Sequence, residues 1–170
     1  LLNGGDSQVD TVGATLPVLL SVLVTDALAN PVPNVLITWS VTGGGGSLNP
    51  PTSLTNAAGI ASASWTLGTV RTPTDSTQTA RATGVGSPVN FIATTRPGAV
   101  SAAQTTVSAS PAAITASTGS STATVTVTAR DGFGNPIPGR TVVLAATGSG
   151  SIVQPASPTT PNGVATVTFS

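Results

Sequence analysis

The chain has 170 residues, balances five Arg against five Asp, and contains no Lys, Glu, His, Cys, Met or Tyr. Those absences exclude a disulfide framework and thiol- or imidazole-ligated metals. They remove the usual side chains for general acid–base work near neutral pH, and five scattered arginines make no basic face for nucleic acid. Thr, Ser, Val and Ala dominate alongside 19 Gly and 14 Pro, no stretch repeats with helical period in good helix formers, and the expected class is all-β.

In chain order, alternation and turn residues predict seven strands in a first module, at 8–14, 18–25, 35–41, 46–48, 60–67, 77–83 and 89–95. The apolar run 16–24 is too short to span a bilayer and contains Pro17 and Ser21, so it reads as a buried strand and no membrane insertion is expected. A boundary falls at Arg96-Pro97-Gly98-Ala99, where a Pro-Gly pair breaks the ladder. The expected modules are therefore 1–97 and 98–170. The second has predicted strands at 105–109, 114–116, 122–130, 141–146, 151–153 and 164–170, then stops, with nothing matching the last two strands of the first module. In 122–129, Ala123, Val125, Val127 and Ala129 alternate with four threonines and face the core; Val18, Leu20, Val22 and Val24 take the same role in the first module.

The two modules are copies. Asp26-Ala-Leu-Ala-Asn30-Pro31-Val-Pro33 recurs 105 positions later as Asp131-Gly-Phe-Gly-Asn135-Pro136-Ile-Pro138. The shift pairs Trp39 with Leu144. After the glycine-rich loop it becomes 104 and pairs Gly46 with Gly150, Ser47 with Ser151, Leu48 with Ile152, Gly59 with Gly163, Ala61 with Ala165 and Trp65 with Phe169. Self-similarity at one module length marks a tandem repeat. Large apolar residues at equivalent strand positions place Trp39, Trp65, Leu144 and Phe169 in the two cores.

The Asp-x-x-x-Asn-Pro-x-Pro motif, a following strand, a glycine-rich turn, and then Thr55-Asn-Ala-Ala-Gly59 or Thr160-Pro-Asn-Gly163 leading into Ala-x-x-x-Trp/Phe resemble the bacterial immunoglobulin-like domain of group 1, the invasin and intimin type. The resemblance covers nearly all of residues 6–170. It implies tandem immunoglobulin-like β-sandwiches from extracellular stalks, adhesins or cell-envelope proteins, usually acting as spacers. The second copy departs from the family pattern by ending early.

Each polar feature has a structural and a functional reading. Asp26 and Asp131 accept bonds from loop amides beside prolines that fix φ; the alternative is calcium, but each loop offers one carboxylate where calcium sites usually gather several. Gly43 to Gly46 lack the Lys and following helix of a phosphate loop, so they read as a strand connection. Trp39 and Trp65 sit in predicted strands, which favours core packing over stacking on a sugar. Asp6 and Asp10 share one face of an extended segment, which is compatible with paired carboxylates but reads as two solvated groups. No catalytic, cofactor-binding or metal-ligating residue is assigned, and no enzyme activity is expected.

The expected function is an extracellular bacterial surface module of a stalk or fibre, with an adhesin-type module binding a surface or carbohydrate ligand through its loops as the alternative. Phe133 is the one clear loop aromatic, which favours the structural class. Partners are expected to be further immunoglobulin-like modules or other copies of the chain. Residues 72–74 and 155–161 suit O-linked glycans. The second module is expected to be completed beyond Ser170, either by continuing chain or by a neighbouring subunit, with residues 1–10 of another copy as the candidate donor strand.

Overall fold

A computed structural model describes residues 1–74, 76–115, 121–147 and 151–170. The chain divides into two compact units, Leu1–Arg96 and Pro97–Ser170. Among the described residues there is no helix, and so none long and apolar enough to cross a membrane.

The first unit has nine strands: β1 (Leu2–Gly4), β2 (Gln8–Thr11), β3 (Leu20–Leu23), β4 (Leu36–Gly43), β5 (Gly46–Asn49), β6 (Thr52–Leu54), β7 (Ile60–Leu67), β8 (Thr77–Thr83) and β9 (Val89–Arg96). They form a four-stranded sheet in the order β1-β3-β7-β5 and a five-stranded sheet in the order β2-β9-β8-β4-β6. All pairings are antiparallel except β2 with β9. The period-2 pattern sets the faces. In β7, Ala61, Ala63, Trp65 and Leu67 are buried while Ser62, Ser64 and Thr66 are half-exposed. Small alanines on β7, β8 and β9 leave room that Trp39, Trp65 and Phe91 fill; Trp39 and Phe91 lie 6.1 Å apart between ring centres at 44°. Burying each such aromatic is worth about 1.5–3 kcal/mol, so these three rings dominate the core.

Strands 60–67 and 77–83 fall on the predicted residues, and the other predicted strands of the first unit end within about three residues of the expected positions, apart from two departures. The run 16–24 is not one buried strand. Leu16 is buried, but Pro17, Val18 and Leu19 are exposed and β3 begins at Leu20. Pro17 has no amide to offer a ladder, and the Gln8 side chain bonds Val18 instead, through Val18 N–H to Oε1 at 3.0 Å and Nε2–H to Val18 C=O at 2.8 Å. Strands β1 and β6 were not predicted.

In the second unit, β10 (Thr106–Ser110), β11 (Ala123–Thr128) and β12 (Val164–Phe169) form one antiparallel sheet in the order β10-β11-β12. It reproduces the four-stranded sheet of the first unit pair by pair. Leu2 faces Val22 as Val107 faces Val127, Leu20 faces Ala63 as Val125 faces Val167, and Leu48 faces Trp65 as Ile152 faces Phe169. The expected strands at 141–146 and 151–153 are not formed: 141–146 has no strand, and 151–153 contributes a single bridge at Ile152. Ile114 and Thr115 are in no strand either, while Ala116 and Gly150 lie outside the described residues.

One physical cause covers the misses at 114–115 and 141–146. The counterparts of 114–116 and 141–146 are parts of β2 and β4, and those pair with β9 and β8. A strand is held by inter-strand bonds, and no described segment of the second unit supplies these two partners. Leu144 and Phe169 are accordingly half-buried, not in a closed core, and Val143 is exposed. The Gln154 side chain substitutes for a strand at Leu144, accepting from its N–H at 2.9 Å and donating to its C=O at 2.7 Å.

Candidate functional site

The repeated motif builds the same loop in both units. Asp26 Oδ1 accepts from Leu28 N–H and Asn30 N–H, each at 2.9 Å, and Oδ2 accepts from Asn30 Nδ2 at 3.0 Å. Asp131 repeats all three bonds with Phe133 N–H, Asn135 N–H and Asn135 Nδ2, each at 2.9 Å. The loop backbone closes identically, Asp26 N–H on Asn30 C=O and Val32 N–H on Val24 C=O in one unit, Asp131 N–H on Asn135 C=O and Ile137 N–H on Ala129 C=O in the other. Left-handed φ recurs at Ala29 (66°) and Gly134 (84°), and again at Asn34 (61°) and Gly139 (70°).

A second loop locks onto the first. Thr55 Oγ1 accepts from Val35 N–H at 2.9 Å and donates to Val32 C=O at 2.7 Å; Thr159 Oγ1 does the same with Arg140 N–H at 2.9 Å and Ile137 C=O at 2.8 Å. Both threonines are buried. The counterpart of Thr55 is thus Thr159, which the 104-residue shift gives, and not Thr160, where the second copy of the motif was taken to begin. Gly59 and Gly163 sit where a Cβ would lie 2.5 Å from Val24 C=O or Ala129 C=O, at φ 71° and 75°, so only glycine fits.

The two loops differ in the contacts of the second: Arg130 Nη1 donates to Gly134 C=O at 2.7 Å, a bond that Thr25 does not make, and the aspartates are placed differently. Asp131 is fully buried and its Oδ2 also accepts from Gly98 N–H at 2.9 Å, whereas Asp26 is exposed and has no equivalent bond. Burial pushes the Asp131 carboxyl up, but the bonds from Asn135, Gly98 and Phe133 outweigh it and hold the group below its ordinary value. At Asp26 the Asn30 side chain, then the Asn30 and Leu28 amides, lower the carboxyl. In each loop both carboxylate oxygens accept at least one bond from the loop itself, an arrangement that holds a turn.

The other sequence candidates are not brought together. Asp6 Oδ1 accepts from Ile92 N–H at 2.8 Å and Asp10 Oδ1 from Thr11 N–H at 2.7 Å, so the two carboxylates serve separate backbone sites. Among the described residues no group of three metal-ligating side chains converges. Gly44, Gly45 and Gly46 turn the chain between β4 and β5 at positive φ, and a Cβ on Gly46 would lie 2.2 Å from Thr66 C=O. Trp39 is buried with Nε1 donating to Ser53 Oγ at 2.8 Å, and Trp65 is fully buried, so neither offers a face to a sugar. Residues 1–10, the candidate donor, are already engaged: β1 lies beside β3 and β2 beside β9 in their own unit.

Two surface features go beyond the sequence reading, which singles out Phe133 but not its partner. Leu28 and Phe133 occupy the same position of the repeated loop and both project into solvent, at 83% and 59% exposure. A groove of about 480 Å³ runs beside the end of β3, lined by Leu1, Leu23, Val24, Thr25, Val85 and Val89 among others. The 105-residue shift maps Phe133 onto Leu28 and was sufficient to find the first; the groove depends on β9 returning beside β3, which no local pattern encodes.

Residues 15–95 and 104–170 match the family of bacterial Ig-like domains (group 1). None of the curated proteins compared with the chain matches it. Among solved structures, invasin, described as a bacterial integrin-binding protein, is similar over 98% of this chain and 32% of that one, at 19% identity and a TM-score of 0.43. The D0-D1 domain of intimin is similar over 97% and 81%, at 17% identity and 0.42. Domains 4–9 of the surface layer protein SbsC are similar over 100% and 27%, at 13% identity and 0.40. The chain therefore spans about a third of the invasin chain it resembles.

Proposed function

The chain belongs to the bacterial Ig-like domain family of group 1, and from that premise we propose that it is a non-catalytic spacer in an extracellular stalk or fibre. The observation that carries this reading is the use of the polar residues. Asp26, Asp131, Thr55, Thr159 and Gln78 spend their hydrogen bonds inside their own unit, on its backbone and, for the two aspartates, also on the Asn30 or Asn135 side chain, and the aspartate–threonine frame is built twice. Repetition of a self-contained frame suits an array whose modules set length and stiffness.

Completion by an added strand enters on the acceptor side alone. Residues 141–147 form no strand, although their counterparts pair with β8, so a β segment from an adjoining module or another subunit would find an open edge there. O-linked glycans fit Thr74 and Ser157, which are exposed, and not Thr159, whose hydroxyl is internal.

A second reading has one observation in its favour: the exposed Leu28 and Phe133 repeat an apolar tip suited to contacting a ligand. One experiment separates the two. In the parent protein, residues 1–170 are replaced by two unrelated immunoglobulin-like modules. Retained surface display and adhesion are expected of a spacer; adhesion lost in the swap, and lost equally in Leu28→Ser with Phe133→Ser, would establish the binding module instead.

A further inference from the structure

We propose that the edge formed by Leu23, Val24, Thr25 and Asp26 in the first unit is an acceptor for an extended linker. The segment would have the chemistry of residues 96–105 and arrive from a preceding module of the same polypeptide. This deepens the spacer reading and rests on it for the source of the segment; the acceptor geometry is argued separately.

The second unit shows what an occupied edge looks like. Before entering β10, its chain runs along the end of β11 and the motif loop. Gly98 N–H donates to Asp131 Oδ2 at 2.9 Å, Val100 bridges Asp131 in antiparallel fashion, and Ser101 N–H donates to Arg130 C=O at 2.8 Å. Thr105 Oγ1 accepts from Arg130 N–H at 3.2 Å. Both backbone groups of Arg130 are thereby used, and Asp131 is buried.

The first unit has the same edge without the segment. Leu1 occupies the position of Thr106, bonded through its nitrogen to Leu23 C=O at 2.7 Å and through its C=O to Leu23 N–H at 2.9 Å. One step further, Thr25 is the counterpart of Arg130. It bridges Pro31 in the way Arg130 bridges Pro136, through the bonds of Asp26 and Val32 on that side. Its own N–H and C=O therefore point to the opposite side, where no described residue bonds them. Beside them lies the 480 Å³ groove with its exposed apolar wall at Val85. Asp26 Oδ2, which has one donor where Asp131 Oδ2 has two, completes the comparison. An unpaired edge, an apolar groove and a carboxylate with spare acceptor capacity together define a site for an uncharged extended backbone carrying small side chains.

The test fuses the ten residues of 96–105 directly ahead of Leu1 in the 170-residue chain, which puts the grafted glycine 33 positions before Asp26, as Gly98 is before Asp131. Hydrogen exchange is read at the grafted glycine and Thr25 amides, and unfolding is followed by fluorescence of Trp39 and Trp65, both in the first unit. Docking is expected to slow exchange at the grafted glycine about tenfold or more, as a bond to a charged acceptor does, and at Thr25 by about two- to tenfold, as a bond to a hydroxyl does. It is also expected to raise the first transition by about 4–8 °C. Asp26→Asn in the grafted chain, or proline in place of the grafted glycine, is expected to remove the glycine-dependent gain, measured against the same change without the graft. Exchange at unstructured rates with an unmoved transition would overturn the proposal. Protection that grows with protein concentration would overturn the same-polypeptide source by showing that the segment docks onto another copy. A failed graft leaves the module-swap result unaffected, so the two readings fail separately.

Discussion

Replacing Asp131 by Asn keeps the side-chain shape and tests what the buried carboxylate does. Asp131 accepts four bonds, from Gly98 N–H, Phe133 N–H, Asn135 N–H and Asn135 Nδ2. The amide retains one acceptor oxygen for Phe133 N–H and Asn135 N–H but turns an NH₂ group toward Gly98 N–H and Asn135 Nδ2, leaving those two donors without an acceptor and weakening the remaining two bonds. Bonds to a charged group are worth about 1.5–3 kcal/mol each, and their loss is not additive, so a cost of about 3 kcal/mol follows. Ordinary stability per residue gives a unit of this size only about 4–11 kcal/mol in total, so the change removes a large share. The second unit's melting temperature is expected to fall by about 12–24 °C. Both tryptophans belong to the first unit, so their fluorescence serves as an internal control that should not move, while circular dichroism and hydrogen exchange at Ser101, Gly134 and Ile137 follow the second. The acid limb supplies an independent check. The Asp131 carboxyl is lowered in the folded state, so its contribution is fully present above the ordinary carboxyl value of 3.8 and is lost as pH falls through the lower folded value. Asp131→Asn should flatten that loss. A second-unit transition displaced by less than about 4 °C, or an acid limb as steep in the variant as in the parent, would refute the reasoning.

Three further outcomes follow from single contacts. Gln78→Leu leaves the buried Gly68 N–H, now bonded to Gln78 Oε1 at 2.7 Å, without a partner, while Gly68 C=O loses the Gln78 Nε2 bond at 3.1 Å but keeps the one from Gly13 N–H at 3.1 Å; a cost of about 1–3 kcal/mol is expected in urea unfolding followed by tryptophan fluorescence, and less than about 0.5 kcal/mol would show that water reaches Gly68. Ala29→Gly relieves a left-handed residue at φ 66° whose counterpart is already Gly134; after the entropy cost of glycine a gain of about 0.5 kcal/mol remains, seen as a rise of about 2–4 °C in the first transition, and a fall would contradict the strain argument. Gly163→Ala drives a Cβ to 2.5 Å from Ala129 C=O at φ 75°, so the amides of Ala129 and Ile137 should lose most of their exchange protection, and near-native protection would show that the loop yields.

Period-2 alternation and the 105-residue repeat were enough to determine an all-β chain of two related modules, the β7 and β8 strands to the residue, and Trp39 and Trp65 as core. Those features depend on neighbours in sequence: which face a side chain takes, which turn an Asn-Pro pair permits, where a ladder must break. The Asp26 and Asp131 loops were legible for the same reason, since every donor to Asp26 lies within four residues of it. Pairing is not local, and there the reading failed. Residues 141–146 carry a pattern as strand-like as that of β4 and form no strand, because β4 is held by β8 and nothing described in the second unit takes that place. Val18 has the alternation of a core residue but lies exposed, since Pro17 and the Gln8 side chain displace it from the ladder. The deepest difference between the copies, a buried Asp131 and an exposed Asp26, rests on Gly98, 33 positions upstream of the aspartate it binds. A bond across that span is set by where the folded chain returns, so only the tertiary structure decided it.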